Sequence, residues 1–112
     1  MKAIFTAQDQ YLESLKDDRF GRCPWFIQID TESLDWKAYP NPGVGHPSGA
    51  GVAAAQFVID QKVEAVISGD FGPHAANAFR AAKISMFLYT KDISTILQAV
   101  DNFSKEKLSR MS

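Results

Sequence analysis

Val63-Glu64-Ala65-Val66-Ile67-Ser68-Gly69-Asp70-Phe71-Gly72-Pro73-His74-Ala75 is the stretch that decides the fold. An apolar, β-branched run ends at a glycine-rich turn, and Pro73 then suits the first position of a helix. Within that helix Ala75, Ala78, Phe79 and Ala82 recur at i, i+3, i+4 and i+7. The same grammar extends to both sides. Upstream, Ala50 to Gln61 reads as an alanine-rich helix with Val52, Ala55, Val58 and Ile59 on one broad side. Downstream, Ile84 to Tyr89 reads as a strand. A last helix is expected to start near Asp92, a good N-cap, with Ile93, Ile96, Leu97, Val100 and Phe103 as its core stripe. Strands alternating with helices call for parallel pairing through right-handed crossovers.

The N-terminal half has a different pattern. Lys2 to Thr6 reads as a first strand and Gln8 to Lys16 as a loop. Trp25 to Asp30 and Leu34 to Tyr39 are β-rich runs joined by turn formers, so they should form an antiparallel hairpin. Along the second run Leu34, Trp36 and Ala38 alternate with Asp35, Lys37 and Tyr39, as expected of an edge strand with one wet face. The expected order is β-β-β-α-β-α-β-α, an α/β protein built on a five-stranded mixed sheet.

Length and composition set the bounds. A chain of 112 residues suits one domain over 1–112, and 46% hydrophobic with 22% charged residues suits a soluble globule. The net charge of -1, without a basic block, argues against nucleic acid as the main partner. A single cysteine fits a reducing cytoplasm, and no apolar run is long enough to span a membrane.

In such sheets ligands gather beyond the carboxyl ends of the parallel strands. Thr6-Ala7-Gln8, Gly69 to His74 and Tyr89-Thr90 should meet there. So should the turn Asp18-Arg19-Phe20-Gly21-Arg22-Cys23-Pro24-Trp25-Phe26, because it enters a strand antiparallel to the first. Cys23 is the chain's only thiol, and neighbouring cations favour thiolate. The alternative is a packed cysteine in a tight turn. His74, second in its helix, is a candidate imidazole ligand, whereas His46 lies in the loop 41–49 and is expected to be solvated or to swing toward the site. The starts of two helices, Ser48-Gly49-Ala50-Gly51 and Gly72-Pro73-His74, offer backbone N–H groups to an anion. Arg19 and Arg22 would add charge-assisted hydrogen bonds.

Arg19-Phe20-Gly21-Arg22-Cys23-Pro24-Trp25-Phe26, Gly49-Ala50-Gly51-Val52-Ala53-Ala54-Ala55-Gln56 and Val66-Ile67-Ser68-Gly69-Asp70-Phe71-Gly72-Pro73-His74-Ala75 together resemble the dinitrogenase iron–molybdenum cofactor biosynthesis family, in the same order and spacing. The resemblance implies a ribonuclease H-like fold with helices on both faces of the sheet. It implies a non-catalytic carrier of an iron–sulfur or iron–molybdenum cluster or its precursor, related to nitrogen fixation, with cluster-donor or acceptor proteins as partners. Cys23 falls on the signature's alanine-or-cysteine position and His74 on the variable position after Gly-Pro. These two are the metal-ligand candidates; Arg19, Arg22, Gly69, Gly72 and His46 complete the cofactor-binding set. Arg19 stands where several nitrogenase-linked members have histidine, which removes one ligand.

A second reading keeps the anion-binding elements without a metal: a module for a small anionic metabolite or a partner protein. A nuclease reading fails on chemistry. Two-metal hydrolysis needs clustered carboxylates, the first strand has none, and Asp30 and Asp70 are expected at opposite ends of the sheet.

Overall fold

The structure, a computed structural model, describes residues 1–111. Six strands form one mixed sheet: β1 (Lys2–Ala7), β2 (Trp25–Asp30), β3 (Trp36–Pro40), β4 (Ala65–Ser68), β5 (Ser85–Leu88) and β6 (Ser109–Arg110), in the order β3-β2-β1-β4-β5-β6. Among the described residues the three helices are α1 (Ala50–Asp60), α2 (Pro73–Ala81) and α3 (Ile96–Ser104), with a short 3-10 turn at Pro42–Gly45. β1 is central. It pairs antiparallel with β2 (Thr6 opposite Phe26) and parallel with β4 (Phe5 beside Ile67). Ala3 to Ala7 are all buried, as a strand covered on both faces must be.

Side chains alternate between two cores. Ile4, Phe26, Val66 and Met86 face α1 and α2, while Ala3, Phe5, Ala65 and Ile67 face α3. Helices thus cover both faces. Small residues let α1 approach closely: its buried line is Ala50, Ala54, Ala55 and Val58. Val52, assigned to that side by periodicity, instead points outward at 56% exposure.

Besides Val52, two expectations about the elements need correction. The sheet has six strands, not five. β6 is two exposed residues pairing antiparallel with β5, too short and polar to leave a pattern. The last helix starts at Ile96 rather than near Asp92. Thr95 and Gln98 form a capping box, in which the Thr95 hydroxyl accepts the Gln98 N–H and the Gln98 side chain accepts the Thr95 N–H. Asp92 instead accepts from the Thr90 hydroxyl. Leu97, assigned to the core stripe, is 47% exposed, and Ile93 is buried ahead of the helix, whose own buried residues are Ile96, Ala99 and Val100.

The register puts Asp30 opposite Lys2, at the start of β1, while Asp70 follows the end of β4. The two carboxylates therefore lie at opposite ends of the sheet.

Candidate functional site at the carboxyl edge

The loops expected at the carboxyl ends of β1, β4 and β5 do converge, and hydrogen bonds show how. The Thr6 hydroxyl donates to the Asp17 carbonyl at 2.5 Å, and the Asp17 N–H donates back to the Thr6 carbonyl at 3.0 Å. Tyr89 donates its phenol to the Thr6 carbonyl at 2.8 Å, and Ser68 Oγ lies 3.1 Å from Thr6 Oγ1. This buried polar knot ties the ends of β1, β4 and β5 to the segment that precedes the Cys23 turn.

The turn itself is docked on three sides. Its backbone bridges to the β4–α2 loop, where the Phe20 N–H donates to the Asp70 carbonyl at 3.0 Å. Phe20 is fully buried against Phe26, Phe71 and Phe79, with ring centroids 5.2–5.7 Å away. Burying such a ring contributes about 1.5–3 kcal/mol, more than the ~0.5–1.5 kcal/mol of a neutral backbone hydrogen bond in the turn. On the third side a Cβ at Gly21 would stand 3.2 Å from Gly51 N, so glycine lets the turn lie on the first turn of α1.

Both helix starts point to this edge. Gly49 (φ 73) caps α1 and Gly72 (φ 74) caps α2, conformations that glycine adopts without strain. Neither helix has a side-chain cap or an acidic residue in its first turn. Asp70 approaches α2 from outside, where its carboxylate accepts the Gly72 N–H at 3.2 Å. Pro73 occupies the first position of α2 and His74 the second, exposed.

The charges are less free than their number suggests. Asp17, with a side chain only 3% exposed, binds the Arg19 guanidinium through Nε at 3.1 Å and Nη2 at 2.9 Å. Its carboxylate also accepts the Arg19 backbone N–H at 2.9 Å. Burial pushes the Asp17 carboxyl up, but the bonds and charge from Arg19, helped by Lys16, outweigh it and hold the group below the ordinary 3.8. Lys16 pairs with Asp18 at 2.6 Å. Arg22 has no acidic partner among the described residues and reaches only the His46 carbonyl, at 3.3 Å.

Cys23 departs from the expected chemistry. The side chain is completely buried, and its thiol faces the Phe20 carbonyl at 3.4 Å. Burial, followed by the charge of Asp17, pushes the thiol up to about 12; Asn41, Ala7 and Arg19 offset this only in part. The expectation that neighbouring cations favour thiolate is therefore corrected, because Arg19 is spent on Asp17 and water is excluded. In this arrangement Sγ is not presented to a ligand. Among the described residues no group of three or more His, Cys, Asp or Glu is gathered to hold a metal ion.

Asn41 is the residue that sequence reasoning missed. Its amide donates to the carbonyls of Cys23 at 2.8 Å and of Phe20 and Gly21 at 3.3 Å, and its Oδ1 accepts the Gly43 N–H at 2.8 Å. Only its place beside Pro42-Gly43, where Asn commonly starts a turn, could have drawn attention to it. On the α3 side the same loops border a groove of about 610 Å³ that includes Gln8, Lys16, Arg19 and Ser94; Cys23 and both histidines lie outside it. No helix among the described residues is long and apolar enough to cross a membrane.

Comparison with known proteins places this geometry. The apo form of the orange protein from Desulfovibrio gigas superposes with a TM-score of 0.92 at 28% identity, covering 99% of this chain and 92% of that one. A NifB-like protein from Thermotoga superposes at 0.85 with 26% identity, covering 98% and 92%. A dinitrogenase-like protein from Methanocaldococcus jannaschii, at 16% identity and a TM-score of 0.71 over 100% and 95% of the two chains, shares the fold. No curated protein matches the chain. The family model described as "Dinitrogenase iron-molybdenum cofactor" matches residues 1–106, and the chain belongs to that family.

Proposed function

We propose that this chain is a non-catalytic cytoplasmic carrier, one domain over 1–112 of ribonuclease H-like type, that holds an anionic metal–sulfur cluster at the carboxyl edge of its sheet. The cargo is an iron–sulfur or iron–molybdenum cluster or its precursor, passed between donor and acceptor proteins of nitrogenase-related cofactor assembly. One observation carries the reading: two glycine-capped helix starts with no acidic residue in their first turns, the second met from outside by Asp70, flank the turn that bears Arg22, a guanidinium with no acidic partner among the described residues. Backbone N–H groups and an unspent guanidinium suit a preassembled anion whose own coordination is filled. They do not suit a bare metal ion, for which the described residues gather no ligand group.

The roles follow from exposure. Arg22 supplies charge, Gly72 caps α2 without a side chain of its own, and Gly69 lets the adjoining loops close. His74 is the exposed imidazole available to a metal, and His46 stands at the rim. Arg19 braces the turn through Asp17, and Cys23 packs beneath it.

Family membership supports the class of cargo. The burial of Cys23 favours a second reading, in which the same edge binds a small anionic metabolite without metal. Anaerobic gel filtration after incubation with a preassembled iron–molybdenum–sulfur or iron–sulfur cluster separates them. Co-elution of visible absorbance, metal and sulfide with the protein supports the carrier. Free elution of the cluster, together with thermal stabilisation by phosphate or sulfate, supports the metabolite module and removes the carrier reading.

A further inference from the structure

We infer that Asn41 is a positioning residue that locks the Cys23 turn and the loop 42–49 into one unit, so that Arg22 and the start of α1 are presented together. The inference rests on the carrier reading for its purpose, but its geometry stands without any cargo. Asn41 lies 18 to 21 residues from the three carbonyls it binds, so each bond closes a long loop of chain. Its side chain is buried and divides its work. The amide donors hold Phe20, Gly21 and Cys23, and the oxygen holds Gly43 N at the start of the 3-10 turn. Its backbone N–H adds a bond to the Pro24 carbonyl at 3.0 Å.

Three further contacts make the unit rigid. His46 N–H donates to the Gly43 carbonyl at 3.1 Å, and the His46 carbonyl accepts from Arg22. Gly43 is pressed against the Ala50 carbonyl so closely that a Cβ there would collide with it. The path runs from Cys23 through Asn41 and Gly43 to His46, and returns to the turn at Arg22. The amide nitrogen also stands 3.6 Å from Cys23 Sγ, so the same residue closes the cover over the thiol.

Two substitutions separate the halves of this role. Asn41→Asp keeps an acceptor for Gly43 but offers no donor to the three carbonyls, and Asn41→Ala removes both. The first readout is the rate at which a water-soluble aromatic disulfide modifies Cys23 at neutral pH under native conditions. Both variants are expected to react at least about tenfold faster than the unaltered chain, because each loses the buried bonds over the thiol. By hydrogen exchange the Gly43 amide stays protected in Asn41→Asp and is lost in Asn41→Ala. Equal thiol rates in all three proteins, or loss of Gly43 protection in both variants alike, overturns the inference.

A second measurement needs no variant and covers the case in which these do not fold. Native-state hydrogen exchange of the unaltered chain should show the Cys23, Gly43 and His46 amides opening with one common free energy. Separate opening of the turn and the loop overturns the inference. Cluster retention is scored alongside: if the unaltered chain retains no cluster, the carrier reading fails while the exchange result still decides the role of Asn41.

Discussion

Gly69→Ala tests how tightly the Cys23 turn is locked onto the carboxyl edge. A methyl group at residue 69 would lie 2.6 Å from Asp18 Cβ and 2.7 Å from its Cγ, and would also meet Oδ1. Carbon atoms in contact prefer about 3.5–4.0 Å, so the overlap is near 1 Å. Rotating the carboxylate relieves the contacts to Cγ and Oδ1 but not the one to Cβ, which moves only with the backbone. That backbone is held by the Ser68 hydroxyl on the Asp18 carbonyl, by the exchange between Asp17 and Thr6, and by the Phe20 bond to Asp70. Overpacking of this kind costs about 1–3 kcal/mol. The unfolded chain loses entropy on gaining a Cβ, which returns about 0.4–1 kcal/mol. The net expectation is a loss of about 1–2 kcal/mol, or roughly 4–8 °C in Tm for a domain of this size. Gly45→Ala is the control, because a Cβ there meets no atom of the described residues within 4 Å. Urea and thermal unfolding followed by circular dichroism would measure both. A Gly69→Ala protein as stable as its parent would refute the packing argument.

Two further predictions concern pH. Cys23 is raised in the folded state from the ordinary 9.0 to about 12, so its stabilising contribution is complete below pH 9 and lost as pH rises toward 12. Tyr89 is raised for the same reason, burial, and adds to the loss above the ordinary tyrosine value of 10.0. Unfolding free energy measured from pH 8 upward should therefore decline, and less steeply in Cys23→Ala; identical slopes would contradict the burial of the thiol. At the acid end, Asp17 is held below 3.8, so its contribution is present above that value and disappears as pH falls further. Asp17→Asn is expected to cost about 1.5–3 kcal/mol at neutral pH, the scale of hydrogen bonds to a charged group, and to flatten the loss below pH 4. Stability curves that stay parallel through the acid range would sink this assignment.

Much of the fold is legible in the sequence, and particular residues show why. From Ala50 to Leu88 the apolar period switches between helix-like and strand-like spacing; Gly69, Gly72 and Pro73 mark the switch from β4 to α2, while the two helix-to-strand turns pass through Lys62 and Lys83 at positive φ. The convergence of loops at the carboxyl edge follows from strand direction alone. β6 escaped because two polar residues carry no period. The start of α3 was misplaced because Asp92 and Thr95 are both competent caps, and only Gln98 completing a box with Thr95 decides between them. The site was read less well for a physical reason. Arg19 and Cys23 look electrostatically coupled in one dimension, but in three dimensions Asp17 takes up the arginine and Phe20 draws the thiol under the turn. Asn41 shows the same limit from the other side, because its value lies in carbonyls that are distant in the chain.

The most direct measurement compares cluster retention by Cys23→Ala, Arg22→Ala and the unaltered chain, using a preassembled iron–molybdenum–sulfur cluster, anaerobic gel filtration and metal analysis of the protein peak. The seat proposed here is made of backbone N–H groups and Arg22, with Cys23 buried below it. Cys23→Ala should retain the cluster to within about twofold once folded, at a stability cost of about 1–2 kcal/mol for the deleted buried sulfur. Arg22→Ala should shed it about tenfold more readily, the scale of one lost charge-assisted hydrogen bond. Loss of the cluster in Cys23→Ala, with retention in Arg22→Ala, would contradict the account and make the buried thiol a ligand after all.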